Sequence, residues 1–191
     1  MSQIEEAERA IIDGIGRLAL FDRSGGQGFG RDRLAAARSF CVYVVAAPAL
    51  ALLIAVDAVS STAGTPAMVA ITDVLGEIVL AAGFPLLLLP VLRAYRRADR
   101  WAWFVTGYNW LKAARVLFLL GVVGLCVGPL RGLGAWPLLA FMGYGWVIEA
   151  FMAEAILDVG AVRAGGIVLL DGLFTFGVYA IVNWVATGAF F

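Results

Sequence analysis

Six polar or ionisable side chains lie within stretches of sequence that are apolar enough to enter a membrane, and they are the first candidates for chemistry. A charged side chain near the middle of a bilayer costs roughly 2.5–3.5 kcal/mol on insertion scales, so it usually faces the interior of a bundle and has a partner there. We therefore treat the six as one intramembrane polar cluster. Its members are Glu77, Asn109, Lys112, Arg115, Glu149 and Asp171.

Depth in the membrane decides which members of this cluster can meet. A helical rise of 1.5 Å per residue puts Lys112 and Glu149 each about 14 Å from the amino-terminal side of the membrane, and Asp171 about 11 Å from it. Lys112 is therefore the expected partner of Glu149. Two interpretations stay open: buried ion pairs that fix helix register, or an ion or proton path in which a carboxylate alternates between charged and neutral forms.

The stretch WVIEAFMAEAILDVG carries two further acids beyond Glu149, namely Glu154 and Asp158. At about 100° per residue, Glu149 and Asp158 lie on opposite faces of a helix, with Glu154 about 40° from Asp158. Glu154 and Asp158 are also shallower, so we expect them at the cytoplasmic edge. Their expected partners are the arginines Arg97, Arg100 and Arg163.

Several kinds of chemistry lack their usual residues in this chain. There is no His, which removes the commonest metal ligand and the usual base at neutral pH. The two cysteines form no CxxC pair, so we predict no metal site. The glycine-rich RSGGQGFGRDR segment follows no strand and lacks the Lys-Ser/Thr of a phosphate loop. We predict no catalytic residues, no cofactor and no nucleic-acid partner.

The composition indicates an integral membrane protein. The chain is 62% hydrophobic and 15% charged, with a mean hydropathy of +0.92, whereas a soluble domain is about half apolar and a quarter charged. Apolar runs of roughly 20 residues predict membrane-crossing helices, and the fold class is an all-α bundle of about five spans. The predicted spans are Ala36–Val59, Ala67–Val91, Trp101–Val127, Ala135–Asp158 and Gly165–Thr187. Pro48 and Gly83-Phe84-Pro85 are expected to bend or locally break the first two spans.

The distribution of basic residues predicts the orientation of these spans. Eleven of the 14 Lys and Arg residues fall before or at the start of the first span, or in the second-to-third and fourth-to-fifth connections. The connections on the other side carry only Arg131. Basic loops stay in the cytoplasm, so we expect a cytoplasmic amino terminus, an outside carboxyl terminus and a multi-pass location in a bacterial inner membrane.

The chain divides into a cytoplasmic segment, residues 1–35, and a transmembrane domain, residues 36–191. The segment SQIEEAERAIIDGIGRLALF has apolar residues at helical spacing, which predicts an amphipathic helix. That helix is expected either on a partner or membrane surface, or folded over the protein's own bundle. Its acidic first half favours contact with protein rather than with anionic lipid. The glycine-rich segment after it is expected to act as a flexible hinge.

The segment TGYNWLKAARVLFLL is similar to the polar-aromatic Gly-Tyr segment that opens a middle span in the Yip (Ypt-interacting protein) superfamily. Five spans, a long cytoplasmic amino-terminal segment and a short outer tail strengthen that resemblance. The RSF sequence at the first span and the YNW motif also resemble inner-membrane proteins of alphaproteobacteria. The resemblance implies a role in membrane organisation. The Asp-Leu-Tyr-Gly-Pro motif of the eukaryotic branch is absent, so its small-GTPase partners are not carried over.

Taken together, these features favour a non-enzymatic membrane protein that acts in membrane organisation or as an assembly partner. Its expected partners are the lipid bilayer and another membrane or cytoplasmic protein, contacted through residues 1–35. The alternative is a small oligomeric transporter or channel that uses Glu149, Lys112 and Asp171. A homo-oligomer fits the alternative because five short spans enclose little volume.

Overall fold

The computed structural model describes residues 3–60 and 65–187, and every regular element in those two ranges is helical. The prediction of an all-α fold is confirmed. The α-helices are α1 (Gln3–Ala19), α2 (Arg33–Ser39), α3 (Val42–Ser60), α4 (Pro66–Ala94), α5 (Trp101–Val127), α6 (Trp136–Leu157) and α7 (Ala161–Thr187). A glycine-rich 3₁₀ helix, Arg23–Gly28, joins α1 to α2, and residues 1–2 and 188–191 of the predicted domains lie outside the described residues.

Within residues 3–60 and 65–187, five helical stretches are long and apolar enough to cross a membrane, which agrees with the predicted number of spans. They are Arg33–Val56, Pro66–Ala94, Ala98–Val127, Trp136–Leu157 and Ala161–Ala186. The second begins where the Thr65 hydroxyl accepts a hydrogen bond from the Met68 amide at 3.4 Å, an N-cap that satisfies a free helix amide. The fourth ends at Asp158, whose left-handed backbone (φ 54°) stops the helix.

The first span is interrupted at a place that the sequence did not indicate. It divides into α2 and α3 after Ser39, whereas α3 continues through Pro48 and α4 through Pro85. The Ser39 hydroxyl donates to the Ala36 carbonyl at 2.7 Å, and such back-bonding competes with the helical ladder. The amide of Cys41 then bonds the Arg38 carbonyl at 2.9 Å, which is a tighter i→i+3 pattern. The expected breaks at the prolines are therefore absent from these two helices.

The spans form a closed ring in the order α3, α4, α7, α6, α5 and back to α3. Close approach between α4 and α7 depends on glycine: a Cβ at Gly83 would lie 2.6 Å from the Phe174 ring, and one at Gly76 would lie 3.0 Å from Val182. Small residues allow such approach between helices in membranes. Gly76 and Gly83 therefore serve packing, whereas Gly124 has no neighbouring atom within 4 Å of the same position.

The amino-terminal segment folds over its own bundle, which is one of the two predicted alternatives. Leu18 of α1 and Phe29 after the 3₁₀ helix are buried in the same core as Phe104 and Ile156 of the spans. The indole N–H of Trp103 donates to the Gly26 carbonyl at 2.8 Å. Residues 3–32 and the spans therefore share one hydrophobic core.

The glycine-rich segment is a contact element between α1 and the bundle. Gly25 and Gly26 are buried. A Cβ on Gly25 would collide with the Gly14 carbonyl oxygen and one on Gly28 with the Ala10 carbonyl oxygen, so only glycine lets the two backbones touch. Glycine was expected here for flexibility, but in this fold the lack of a side chain lets the 3₁₀ helix pack backbone to backbone against α1.

The two ends of the bundle differ in composition. We call one the arginine-rich end; it carries α1, the 3₁₀ helix, the α4–α5 connection and the α6–α7 connection, with Arg93, Arg96, Arg97, Arg100 and Arg163. The opposite end carries the α5–α6 connection and the end of α7. Buried residues of α5 lie between Ala102 and Ala113, within the half of the helix nearer the arginine-rich end. The main core therefore lies in that half.

Candidate functional site

Four of the six predicted cluster residues meet inside the ring, where α5, α6 and α7 face one another. Lys112 and Arg115 come from α5, Glu149 from α6 and Asp171 from α7. The Lys112 Nζ atom lies 2.6 Å from Asp171 Oδ2 and 3.6 Å from Glu149 Oε2. Arg115 Nη1 lies 3.0 Å from Glu149 Oε2. We call these four residues the charged quartet.

Glu149 is the most enclosed member of the charged quartet. The residue is 0% exposed. Its Oε2 atom accepts from Arg115, whereas its Oε1 atom has no hydrogen-bond partner among the residues that the structure describes. Most buried side-chain polar atoms in proteins are hydrogen-bonded, so this carboxylate oxygen requires an explanation. Lys112 was the expected partner of Glu149, but the closer cation is Arg115.

Gly145 makes room for Arg115 beside Glu149. Gly145 lies one helical turn before Glu149 on α6, on the same face. A Cβ at position 145 would lie 2.8 Å from Arg115 Nε. The guanidinium therefore rests against the backbone of α6, next to the acid that it binds. The absence of a side chain at Gly145 therefore helps to position this ion pair.

Asp171 is held by two donors from α5. Asp171 is 3% exposed. Its Oδ1 atom accepts from the Tyr108 hydroxyl at 2.7 Å and its Oδ2 atom from Lys112 Nζ at 2.6 Å. The Lys112 ammonium also lies 4.9 Å from the centroid of the Tyr108 ring, which is a cation–π geometry. The sequence analysis missed Tyr108, although Tyr108 and Lys112 are four residues apart and share one helix face.

Asn109 belongs to a different group of side chains. It is fully buried and its amide donates to the Ser39 hydroxyl at 2.8 Å. The Tyr43 hydroxyl lies 3.4 Å from the Asn109 carbonyl oxygen, a distance at the long limit for a hydrogen bond. Asn109 thus joins α5 to α2 and α3, at the point where the first span is divided.

Glu77 also lies apart from the charged quartet, in a cleft near the opposite end. Glu77 Oε1 accepts from the Tyr179 hydroxyl at 2.5 Å. The cleft has a volume of about 480 Å³ and lies between α3, α4, α5 and α7. Its polar lining residues include Thr72, Asp73 and Asn183. The predicted cluster is therefore divided into three groups.

The two shallow acids meet arginines at the arginine-rich end. Asp158 Oδ2 lies 3.0 Å from Arg97 and 3.7 Å from Arg100, both of them expected partners. Glu154 instead lies 2.5 Å from Arg23 of the 3₁₀ helix. Arg23 was not among the expected partners because the sequence gave no indication that the glycine-rich segment returns to α6.

The charged quartet holds its ion pairs in direct contact. No three His, Cys, Asp or Glu side chains come together as a metal site within residues 3–60 and 65–187. The charged quartet contains two cations and two acids, which bind to one another as ion pairs. The chain matches no protein-family model, no curated protein and no solved structure. Its function is therefore argued from its own residues.

Proposed function

We propose that this protein is a non-enzymatic, multi-pass membrane protein that acts in membrane organisation or assembly by presenting its amino-terminal segment to another protein. The observation that carries the proposal is the attachment of that segment to the bundle. The Tyr144 hydroxyl of α6 donates to the Ala19 carbonyl at 2.5 Å, and the Arg23–Glu154 ion pair lies nearby. A surface held in this way is presented in one fixed geometry.

The outward side of α1 has the chemistry of a protein contact. Ile12 of α1 is 66% exposed and Leu20, directly after α1, is 83% exposed. The acidic residues Glu5, Glu6 and Glu8 are exposed on the same segment. Anionic lipid repels such a surface, which supports a partner protein that carries basic groups.

The charged quartet supports the same proposal from inside the bundle. Lys112 contacts both Glu149 and Asp171 directly, and none of the three is among the residues that line the 480 Å³ cleft. Contacts of this kind are able to specify which helices become neighbours. We place the protein in a bacterial inner membrane with the arginine-rich end in the cytoplasm, because basic loops are retained on that side.

Photo-crosslinking in native membranes tests the proposed surface. A photoreactive residue at Ile12 or Leu20 should give a protein adduct, whereas the same residue at Leu173, which is 61% exposed on α7, should not give that adduct. Changing Glu5, Glu6 and Glu8 together to Lys should reduce the adduct at least tenfold. Deleting the whole segment is a poorer test because Leu18 and Phe29 belong to the core. A lack of protein adducts at both positions would refute the proposal.

A small oligomeric transporter or channel is the second candidate, and the cleft near the opposite end is the observation that favours it. Its volume of about 480 Å³ and its side chains Asp73, Glu77 and Asn183 would accommodate a small polar solute or cation. Reconstituted vesicles should then show solute or cation flux that Glu77→Gln lowers and that Glu154→Gln, at the other end, leaves unchanged. Absence of flux for protons, metal cations and small solutes would exclude this candidate.

A further inference from the structure

The acids and bases inside the described spans do not balance. Away from the span ends, four acids face two bases, Lys112 and Arg115. The four acids are Asp73, Glu77, Glu149 and Asp171. A surplus of negative charge in a medium of low dielectric constant is unfavourable unless protons or cations neutralise it. Lys112 and Arg115 both contact the Glu149–Asp171 pair, so protonation of one of these two carboxyl groups is one way to lower the surplus.

The structure indicates which oxygen is placed to carry such a proton. Glu149 Oε1 is buried without a hydrogen-bond partner among the described residues, although Oε2 of the same group accepts from Arg115 at 3.0 Å. A carboxylate oxygen can only accept hydrogen bonds, whereas a protonated oxygen can donate one. Asp171 is the neighbouring acceptor, because both carboxyl groups lie within 3.6 Å of the same Lys112 Nζ atom.

We propose that Glu149 and Asp171 form a proton-binding site within the membrane, in which Glu149 Oε1 carries the proton. Binding converts the Glu149 carboxylate to the neutral acid, adds one proton and moves no electrons. Two carboxyl groups that share one site share a proton in other proteins as well. The charged or titratable groups that face the site are Lys112, Arg115 and Tyr108 from α5 and Asp171 from α7.

This proposal stands independently of any partner of α1.

The test uses infrared spectroscopy of the full chain in lipid vesicles at neutral pH. The carbonyl stretch of a protonated carboxyl group is distinct from that of a carboxylate. We expect this acid band in the wild-type protein and its loss in Glu149→Gln. The Gln side chain has the shape of the neutral acid and keeps a donor at the Oε1 position, so the fold should persist. The matched control is Glu154→Gln on the same helix, which should leave the band unchanged.

Two results would overturn the proposal. One is equal acid-band intensity in the wild type and Glu149→Gln, which is expected if Glu149 is ionised and a water molecule donates to Oε1. The other is loss of the band in Asp171→Asn but not in Glu149→Gln, which would put the proton on Asp171.

Discussion

The two halves of the bundle place their intramembrane polar side chains in different surroundings. In the half near the arginine-rich end, Phe104 and Ile156 are fully buried and the charged quartet is held in direct contact. In the half near the opposite end, Glu77 lies in a cleft of about 480 Å³, and Gly121 has no atom within 4 Å of its Cβ position. The difference indicates that the first half stabilises the fold, whereas the second leaves space for binding.

The amino-terminal segment packs against the half of the bundle near the arginine-rich end. Leu18 and Phe29 extend the core beyond the spans, so the arginine-rich end is closed by the protein itself. We call the half near the arginine-rich end the closed half and the half near the opposite end the open half. Substitutions in the closed half should cost more stability than matched substitutions in the open half.

Removing one cation from the charged quartet should have the largest effect. Lys112→Met leaves Asp171 with the Tyr108 hydroxyl as its remaining donor, and loss of one partner of a buried ion pair costs about 3–5 kcal/mol. In the matched variant of the open half, Glu77→Gln, the side-chain amide oxygen still accepts a hydrogen bond from the Tyr179 hydroxyl. This variant should therefore cost under about 1 kcal/mol. The free energy of unfolding in mixed detergent micelles measures both. Equal values for the two variants would contradict the division into a closed and an open half.

Adding a methyl group to two glycines should give opposite signs. Gly25→Ala forces the 3₁₀ helix away from the Gly14 carbonyl, and overpacking of this kind costs about 1–3 kcal/mol. Gly124→Ala meets no atom within 4 Å and should raise stability by up to about 1 kcal/mol, because alanine is the better helix former. The same micelle unfolding experiment decides the signs. A destabilised Gly124→Ala variant would show that this position is packed.

The Arg23–Glu154 pair should make a smaller contribution. Its side chains are 65% and 23% exposed, and exposed pairs are worth about 0.2–1 kcal/mol. Arg23→Gln should therefore increase hydrogen exchange in α1 only severalfold. The double variant with Glu154→Gln should be no worse than the worse of the two single variants, because one interaction is lost in each case. Additive effects of the two changes would indicate that each side chain has another role.

The smallest effect concerns Asp22, which caps the 3₁₀ helix. The Ser24 hydroxyl and amide donate to the Asp22 carboxylate at 2.7 and 2.9 Å, and these bonds lower the pKa of Asp22 below its ordinary value of 3.8. The unfolded chain then binds the proton more readily, so the cap stabilises the fold above pH 3.8 and loses this effect as the pH falls through the folded pKa. Asp22→Asn should remove that pH dependence, as measured by hydrogen exchange near Ser24. If the pH dependence of hydrogen exchange near Ser24 is unchanged in Asp22→Asn, other titratable groups cause it.

The spans could be predicted from the sequence because their signal is local. A run of apolar residues of sufficient length specifies a membrane helix without reference to the rest of the chain. The break in the first span could not be predicted in the same way. Pro48 is the obvious breaker and α3 continues through it, whereas the break at Ser39 depends on a side chain that bonds both the Ala36 carbonyl and Asn109.

The candidate site was only partly predictable because depth fixes one coordinate of a residue and leaves its direction open. Asn109, Lys112 and Arg115 are spaced by three residues, so each points about 60° around α5 from the one before. Asn109 consequently faces Ser39 of α2, Lys112 faces Asp171 of α7, and Arg115 faces Glu149 of α6. Which helix lies in each direction depends on the order of the ring, which hydropathy does not encode.

The order of the ring also has a consequence for synthesis in the cell. The helix that packs against the glycines of α4 is α7, the last of the five described spans to emerge, and α7 also supplies Asp171. Until α7 is inserted, Gly76 and Gly83 lack the helix that packs on them and Lys112 lacks its closest acid. The ring therefore closes only after the fifth described span has been inserted. A nascent chain that stops before position 161 is an open four-span intermediate, which would be a natural substrate for membrane quality control.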